Sequence, residues 1–128
     1  GDLTGFPAWV RDQFRSGESV PLFTDQWVTP TRAGQAADTL LDLIARGKEG
    51  LYNVACASCV TPYEFGTVIY DRMNTDSALI REGSMADVDR AATRPAYTCL
   101  DVGKVTDALG QAQPRIREAI EADWKLLD

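Results

Sequence analysis

Large apolar residues fall at helical intervals in five stretches of the chain, with short apolar runs between them. Phe6, Trp9, Val10 and Phe14 lie three or four apart and predict a helix over 6–14, stopped by Gly17. Pro7 is tolerated because the first turn of a helix needs no amide donor. Val20 to Phe23 is a brief apolar run and predicts a strand. Thr24 to Thr31 reads as a loop, since Pro30 disfavours helical geometry at Thr29. Ala33, Ala36, Ala37, Leu40, Leu41 and Ile44 then mark one face of a second helix that ends at Gly47.

The middle of the chain joins a strand pattern to a helix start. Gly50-Leu51-Tyr52-Asn53-Val54-Ala55 is a glycine-bounded apolar run and predicts a buried strand. Thr61 can cap a helix, Pro62 suits its first position, and Glu64 completes a capping box. That helix runs to about Met73 on the face Phe65, Val68, Ile69 and Met73, and Asn74 to Asp76 break it. Leu79-Ile80 reads as a two-residue extended piece, and the polar segment 83–93 as a surface loop. Pro95 keeps Arg94 out of helix, so Arg94 to Leu100 is extended. Asp101 caps a short helix through Val102, Val105 and Leu109, stopped by Gly110. Pro114 opens the last helix, with Ile116, Ile120, Trp124 and Leu127 on its apolar face. Strand and helix alternate early and helices dominate late. The fold class this predicts is α/β: one small, partly helical domain over 1–128 with a few short strands.

Composition narrows the field of partners. At 128 residues the chain has the size of one domain. Its formal charge of −6 argues against a nucleic-acid partner, which asks for a basic face. No apolar run approaches the roughly 20 residues that span a bilayer, and Gly1-Asp2-Leu3-Thr4 carries no signal pattern. The expectation is a cytoplasmic domain with no membrane partner. Three cysteines, an odd number, fit a reducing compartment better than a disulfide framework. Histidine is absent, which removes the commonest general base and zinc ligand.

Candidate chemistry is sparse. Cys56-x-x-Cys59 lacks the ligands for zinc, with Cys99 alone left as a third thiolate. Dithiol chemistry is open to it, but a cysteine is more often a small buried hydrophobe, and that reading is preferred here. Arg94, on backbone stiffened by Pro95, suits a phosphate through its planar fork of donors; the alternative is an ion pair that ties its loop down. Tyr97 and Thr98 add an aromatic face and a hydroxyl beside it, while Asp25 and Gln26 follow the first strand on a loop. No Gly-x-Gly-x-x-Gly, no phosphate-loop motif and no Tyr-x-x-x-Lys is present, so these residues supply neither dinucleotide binding nor hydride chemistry.

Several ordered blocks together resemble a known family. They are Phe23-Thr24-Asp25-Gln26 with Thr29-Pro30-Thr31, Gly50 to Ala55, Tyr63-Glu64-Phe65, Arg94-Pro95-x-Tyr97-Thr98-Cys99-Leu100-Asp101 with Lys104, and Leu109-Gly110 with Pro114 to Ala119. From about Phe6 onward the chain is similar to the carboxyl-terminal part of the dTDP-4-dehydrorhamnose reductase family, extended short-chain dehydrogenase/reductases. The resemblance implies a small substrate-binding domain that closes over a nucleotide-sugar whose 4-keto group is reduced. It further implies that NAD(P) and the catalytic residues belong to a Rossmann domain outside this chain. Phe23, Asp25, Gln26, Arg94 and Tyr97 are the substrate-binding residues it points to, with no catalytic, cofactor-binding or metal-binding residue here. Implied partners are the nucleotide-sugar and the missing Rossmann domain, and the apolar surface meant for the latter is a route to self-association. The alternative is a non-catalytic relative that keeps the fold as a regulatory or scaffolding subunit.

Overall fold

The computed structural model describes residues 5–124. Helix α1 (Gly5–Arg15) leads into strand β1 (Val20–Phe23), and helix α2 (Ala33–Ala45) follows a loop. Helix α3 (Pro62–Met73) starts where the sequence places it. The Thr61 hydroxyl accepts from the Glu64 amide at 3.1 Å, and the Glu64 carboxylate accepts from the Thr61 amide at 2.8 Å. Asn74, with φ of 50°, takes the left-handed conformation that ends it. Strand β2 (Ile80–Gly83), helix α4 (Gly103–Leu109) and helix α5 (Ile116–Trp124) complete the order, with single 3-10 turns at Ser77–Leu79 and Met85–Asp87.

β1 and β2 form a two-stranded parallel sheet in the register Val20↔Ile80 to Phe23↔Gly83. Parallel strands need a long crossover, and here it contains α2 and α3. The main core gathers Val10 and Phe14 of α1, Val20 and Leu22 of β1, Phe65 and Ile69 of α3, and Ile120 of α5. Gly66 lets α3 approach Leu22 more closely than any larger residue would permit. A second, smaller core packs Leu43 of α2 against Val105 and Leu109 of α4, with Tyr52 and Val54 beside them.

The observed fold is the expected α/β mixture of helices and a few short strands, here one parallel pair, with three corrections. Residues 51–55 do not form a strand: Leu51 is 84% exposed, and Gly50 to Cys56 make no backbone–backbone hydrogen bond to another described residue. Their backbone is held by side chains instead. The Lys104 ammonium donates to the Leu51 carbonyl at 2.7 Å, Gln35 to the Ala55 carbonyl at 3.0 Å, and the Thr31 hydroxyl accepts from the Cys56 amide at 3.2 Å. On α2 the buried face is Gln35, Thr39 and Leu43, while Leu40, Leu41 and Ile44 point outward, each more than half exposed. A buried amide network wins that contest. Gln35 donates to Gln113 at 2.9 Å, and Thr39 donates to the same Gln113 oxygen at 3.3 Å. The third correction concerns the cysteines. Cys59 is bonded to Cys99, and only Cys56 is the buried small hydrophobe expected of both members of the motif. Leu127 lies outside the described residues.

Candidate functional site

The five residues singled out from the sequence lie on two segments that the fold lays side by side. β1 ends at Phe23 and runs into the loop carrying Asp25, Gln26 and Trp27. The Trp27 amide donates to the Ala96 carbonyl at 2.7 Å, and the Thr98 amide donates to the Trp27 carbonyl at 2.9 Å. These bonds make a parallel bridge between Trp27 and Tyr97. The Thr98 hydroxyl adds a third bond to the Trp27 carbonyl at 3.1 Å. One residue further on, Val28 and Val60 exchange both backbone hydrogen bonds, each 2.9 Å. Trp27-Val28 is therefore the middle of a three-segment patch, with 96–98 on one side and Val60 on the other.

Each candidate has a definite setting. Arg94 is exposed, and among the described residues no carboxylate pairs with it, so the loop-tying ion pair is not formed. Tyr97 is 66% exposed. Gln26 is half-buried beside Trp27. Phe23 is half-buried, with the Arg90 guanidinium 5.5 Å from its ring centroid. Asp25 is committed to the chain itself. It accepts from the Ser84 hydroxyl at 2.6 Å and from the Met85 amide at 2.9 Å, and so pins the turn after β2 to the loop after β1. The Ser84 hydroxyl, followed by the Met85 amide, holds the Asp25 carboxyl below its ordinary range.

Trp27, Ser84, Met85 and Arg90 are the members of this neighbourhood that sequence reasoning passed over. A signal existed for one: Ser84-x-x-Asp87 is a capping-box pattern, and both of its bonds form. Asp25, Trp27 and Arg94 to Thr98 are all exposed. Two hollows of about 290 and 300 Å³ lie elsewhere, one against Asp71, Arg117 and Ile120, the other against Gln35, Pro114 and Ala119. What the strip offers is a cation, two exposed aromatic rings, an amide and several peptide groups. That set suits an anionic, partly planar ligand and contains no group to transfer hydride.

Comparison with known proteins gives this geometry a family context. Residues 3–127 match the model of the RmlD substrate binding domain. A probable low-salt glycan biosynthesis reductase of Haloferax volcanii, Agl14, is 46% identical over 121 residues, covering 94% of this chain and 40% of that protein. A dTDP-4-dehydrorhamnose reductase of Aggregatibacter actinomycetemcomitans is 30% identical over 112 residues, covering 79% of this chain and 35% of its own length. Among solved structures, a Bacillus anthracis dTDP-4-dehydrorhamnose reductase in complex with NADP superposes with a TM-score of 0.85 at 20% identity, over 98% of this chain and 44% of that one. The chain thus spans less than half the length of each of these three relatives.

Proposed function

The chain belongs to the RmlD substrate binding domain family, and from that premise we propose that it is the nucleotide-sugar grip of an NAD(P)-dependent reductase acting on a 4-keto sugar. The observation that carries this reading is the Trp27–Tyr97 bridge, which brings the Asp25-Gln26 loop against the Arg94–Thr98 strip and leaves the Arg94 guanidinium in solvent. An unpaired guanidinium on a stiff backbone meets a diphosphate with two parallel hydrogen bonds. Tyr97 and Phe23 pack on the base or sugar ring. Gln26, and the lone pairs of Asp25 that Ser84 and Met85 leave over, accept from sugar hydroxyls.

The reduction itself belongs to another part of the protein. A dinucleotide pyrophosphate needs a glycine-rich turn from a strand into a helix N-terminus. Among the described residues β1 runs into the 24–32 loop and β2 into a single 3-10 turn, so these residues do not fit that cofactor. NAD(P), when bound by the remaining part, supplies the hydride; this chain binds and orients the acceptor. An open strip is one wall of a cleft, and a Rossmann domain of the same protein is the other. The exposed stripe Leu40, Leu41 and Ile44 supports such a contact. We assign the protein to the cytoplasm, where activated sugars are made. Among the described residues no helix is long and apolar enough to cross a membrane.

Calorimetry of dTDP-sugars and UDP-sugars against the chain tests the reading. The intact chain should bind at least one of them weakly, Arg94→Ala should lose tenfold or more of that affinity, and Arg94→Lys should lose less. Equal affinity of the wild type and Arg94→Ala would remove the phosphate role.

A further inference from the structure

We propose that the Cys59–Cys99 disulfide is a redox-operated staple that fixes the Arg94–Thr98 strip in place. The bond joins positions 40 apart in sequence. Its location in the three-segment patch explains what it restrains. Cys59 adjoins Val60 on one outer segment, and Cys99 adjoins Thr98 on the other. Beyond those pairings the two outer segments converge, with the Cα atoms of Cys59 and Cys99 5.6 Å apart, and the disulfide joins them directly at the end of the Trp27-Val28 segment.

Little else holds the strip. Residues 86–98 are all exposed. Upstream, the nearest polar anchor is the Asp25 contact with Ser84 and Met85, and between them, among the described residues, only the Arg90 guanidinium rests on Phe23. At the strip itself there are three hydrogen bonds to Trp27, two from backbone and one from the Thr98 hydroxyl. Hydrogen bonds in solvent each contribute little net free energy, so the covalent link is the dominant restraint on where Arg94 and Tyr97 sit.

The bond is placed for exchange with an external thiol. Cys59 is exposed and Cys99 half-buried, whereas Cys56, the free thiol, is fully buried. The reaction partner is thus a small or protein dithiol and not Cys56. One thiolate of that dithiol attacks a sulfur of the Cys59–Cys99 pair, the S–S bond breaks, and a mixed disulfide forms. The second thiol of the reductant closes on the first, releasing the chain with two thiols. Two electrons pass to the chain, two protons end on Cys59 and Cys99, and the reductant leaves as its disulfide. In the reducing compartment proposed above, an exposed bond of this kind is one that opens and closes. Opened, the strip keeps, among the described residues, its bonds to Trp27 and, downstream of Cys99, the bond from the Asn53 side-chain amide to the Asp101 carbonyl at 3.2 Å.

The consequence for ligand affinity rests on the proposed nucleotide-sugar reading; the consequence for mobility does not. The test uses the full chain in three forms: air-oxidised, reduced with dithiothreitol, and Cys59→Ser/Cys99→Ser. Alkylation of the denatured oxidised chain should modify one of its three cysteines, and of the reduced chain all three. Amide hydrogen exchange at Trp27 and Thr98, whose amides donate across the bridge, should be at least tenfold faster in the reduced and double-serine forms, while the amides of α3 remain protected. Sugar-nucleotide affinity by calorimetry should fall severalfold in the same two forms. Should the double-serine form fail to fold, the dithiothreitol titration of the wild type decides. Three alkylated cysteines in the oxidised chain, or identical exchange at Trp27 and Thr98 in both redox states, would overturn the proposal. If exchange responds but the oxidised chain binds no sugar nucleotide, the staple stands and the nucleotide-sugar reading falls.

Discussion

Replacing Gly66 by alanine probes the contact on which the position of β1 depends. Gly66 sits in the interior of α3, facing Leu22 of β1. A Cβ at that position falls 2.2 Å from Leu22 Cδ1, far inside contact distance. Leu22 is 2% exposed, so its methyl group has no solvent to swing into. Either Leu22 leaves its rotamer or α3 backs away from β1, and overpacking of this kind costs about 1–3 kcal/mol. Opposing it, alanine is better than glycine inside a helix by about 1 kcal/mol. With so short an approach the overpacking term sits in the upper half of its range, leaving a net loss of about 1–2 kcal/mol. For a domain of this size that corresponds to a fall in Tm of roughly 4–8 °C. Thermal and urea denaturation of wild type, Gly66→Ala, Leu22→Val and the double variant form the assay. Valine lacks the offending methyl, so the double variant should be more stable than the two single effects predict, by about 1 kcal/mol. A Gly66→Ala protein as stable as wild type, with additive behaviour in the cycle, would refute the close-approach argument.

Two further outcomes follow from other parts of the molecule. Asp25 has a carboxyl held below its ordinary value of 3.8 by Ser84 and Met85, so folding favours its ionised form. Its contribution is complete above the unfolded-state value and is lost as pH falls through the lower, folded-state one. Exchange protection of the Met85 amide should therefore be level from neutrality down to the ordinary carboxylate range and drop below it, and Asp25→Asn should abolish that drop; an unchanged profile in the variant would assign the drop elsewhere. Leu41 and Ile44 are 63% and 65% exposed on α2. Sedimentation velocity should detect association of the wild-type chain at high concentration and its loss in Leu41→Glu or Ile44→Glu, whereas a wild type that stays monomeric throughout would count against an adhesive stripe.

Elements that depend on neighbouring residues in sequence were legible before the structure. The capping box at Thr61 and Glu64, the glycine stop after α4 and the apolar spacing of α1 and α5 are local signals, and each marks the element it should. Features that depend on distant partners were not. Cys56-x-x-Cys59 draws attention to a pair close in sequence, yet Cys59 meets Cys99 because Val28 and Trp27 recruit Val60 and Tyr97 from opposite directions. The candidate site divides in the same way. Loop position and the family resemblance pick out Arg94 and Asp25, but that Asp25 is spent largely on Ser84 and Met85 follows only from the parallel pairing of β1 with β2.

The remaining two departures share one physical cause. An amphipathic stripe is read on the assumption that the apolar face turns inward, and a glycine-bounded apolar run on the assumption that a ladder is available to it. On α2 the inward positions are taken by Gln35 and Thr39, whose hydrogen bonds to Gln113 fix the helix orientation, so Leu40, Leu41 and Ile44 are turned out. The run Gly50 to Ala55 follows α2 after one short turn, and Leu51 is likewise turned out with its peptide groups unladdered. Side chains of this type at exposed positions bring no hydrophobic gain to the isolated chain. They become favourable once a second surface removes them from water, and the reading that gives this chain one wall of a cleft supplies that surface. On that proposed reading both segments are patterned for burial against a second surface, which is why the local pattern misplaces them within this fold.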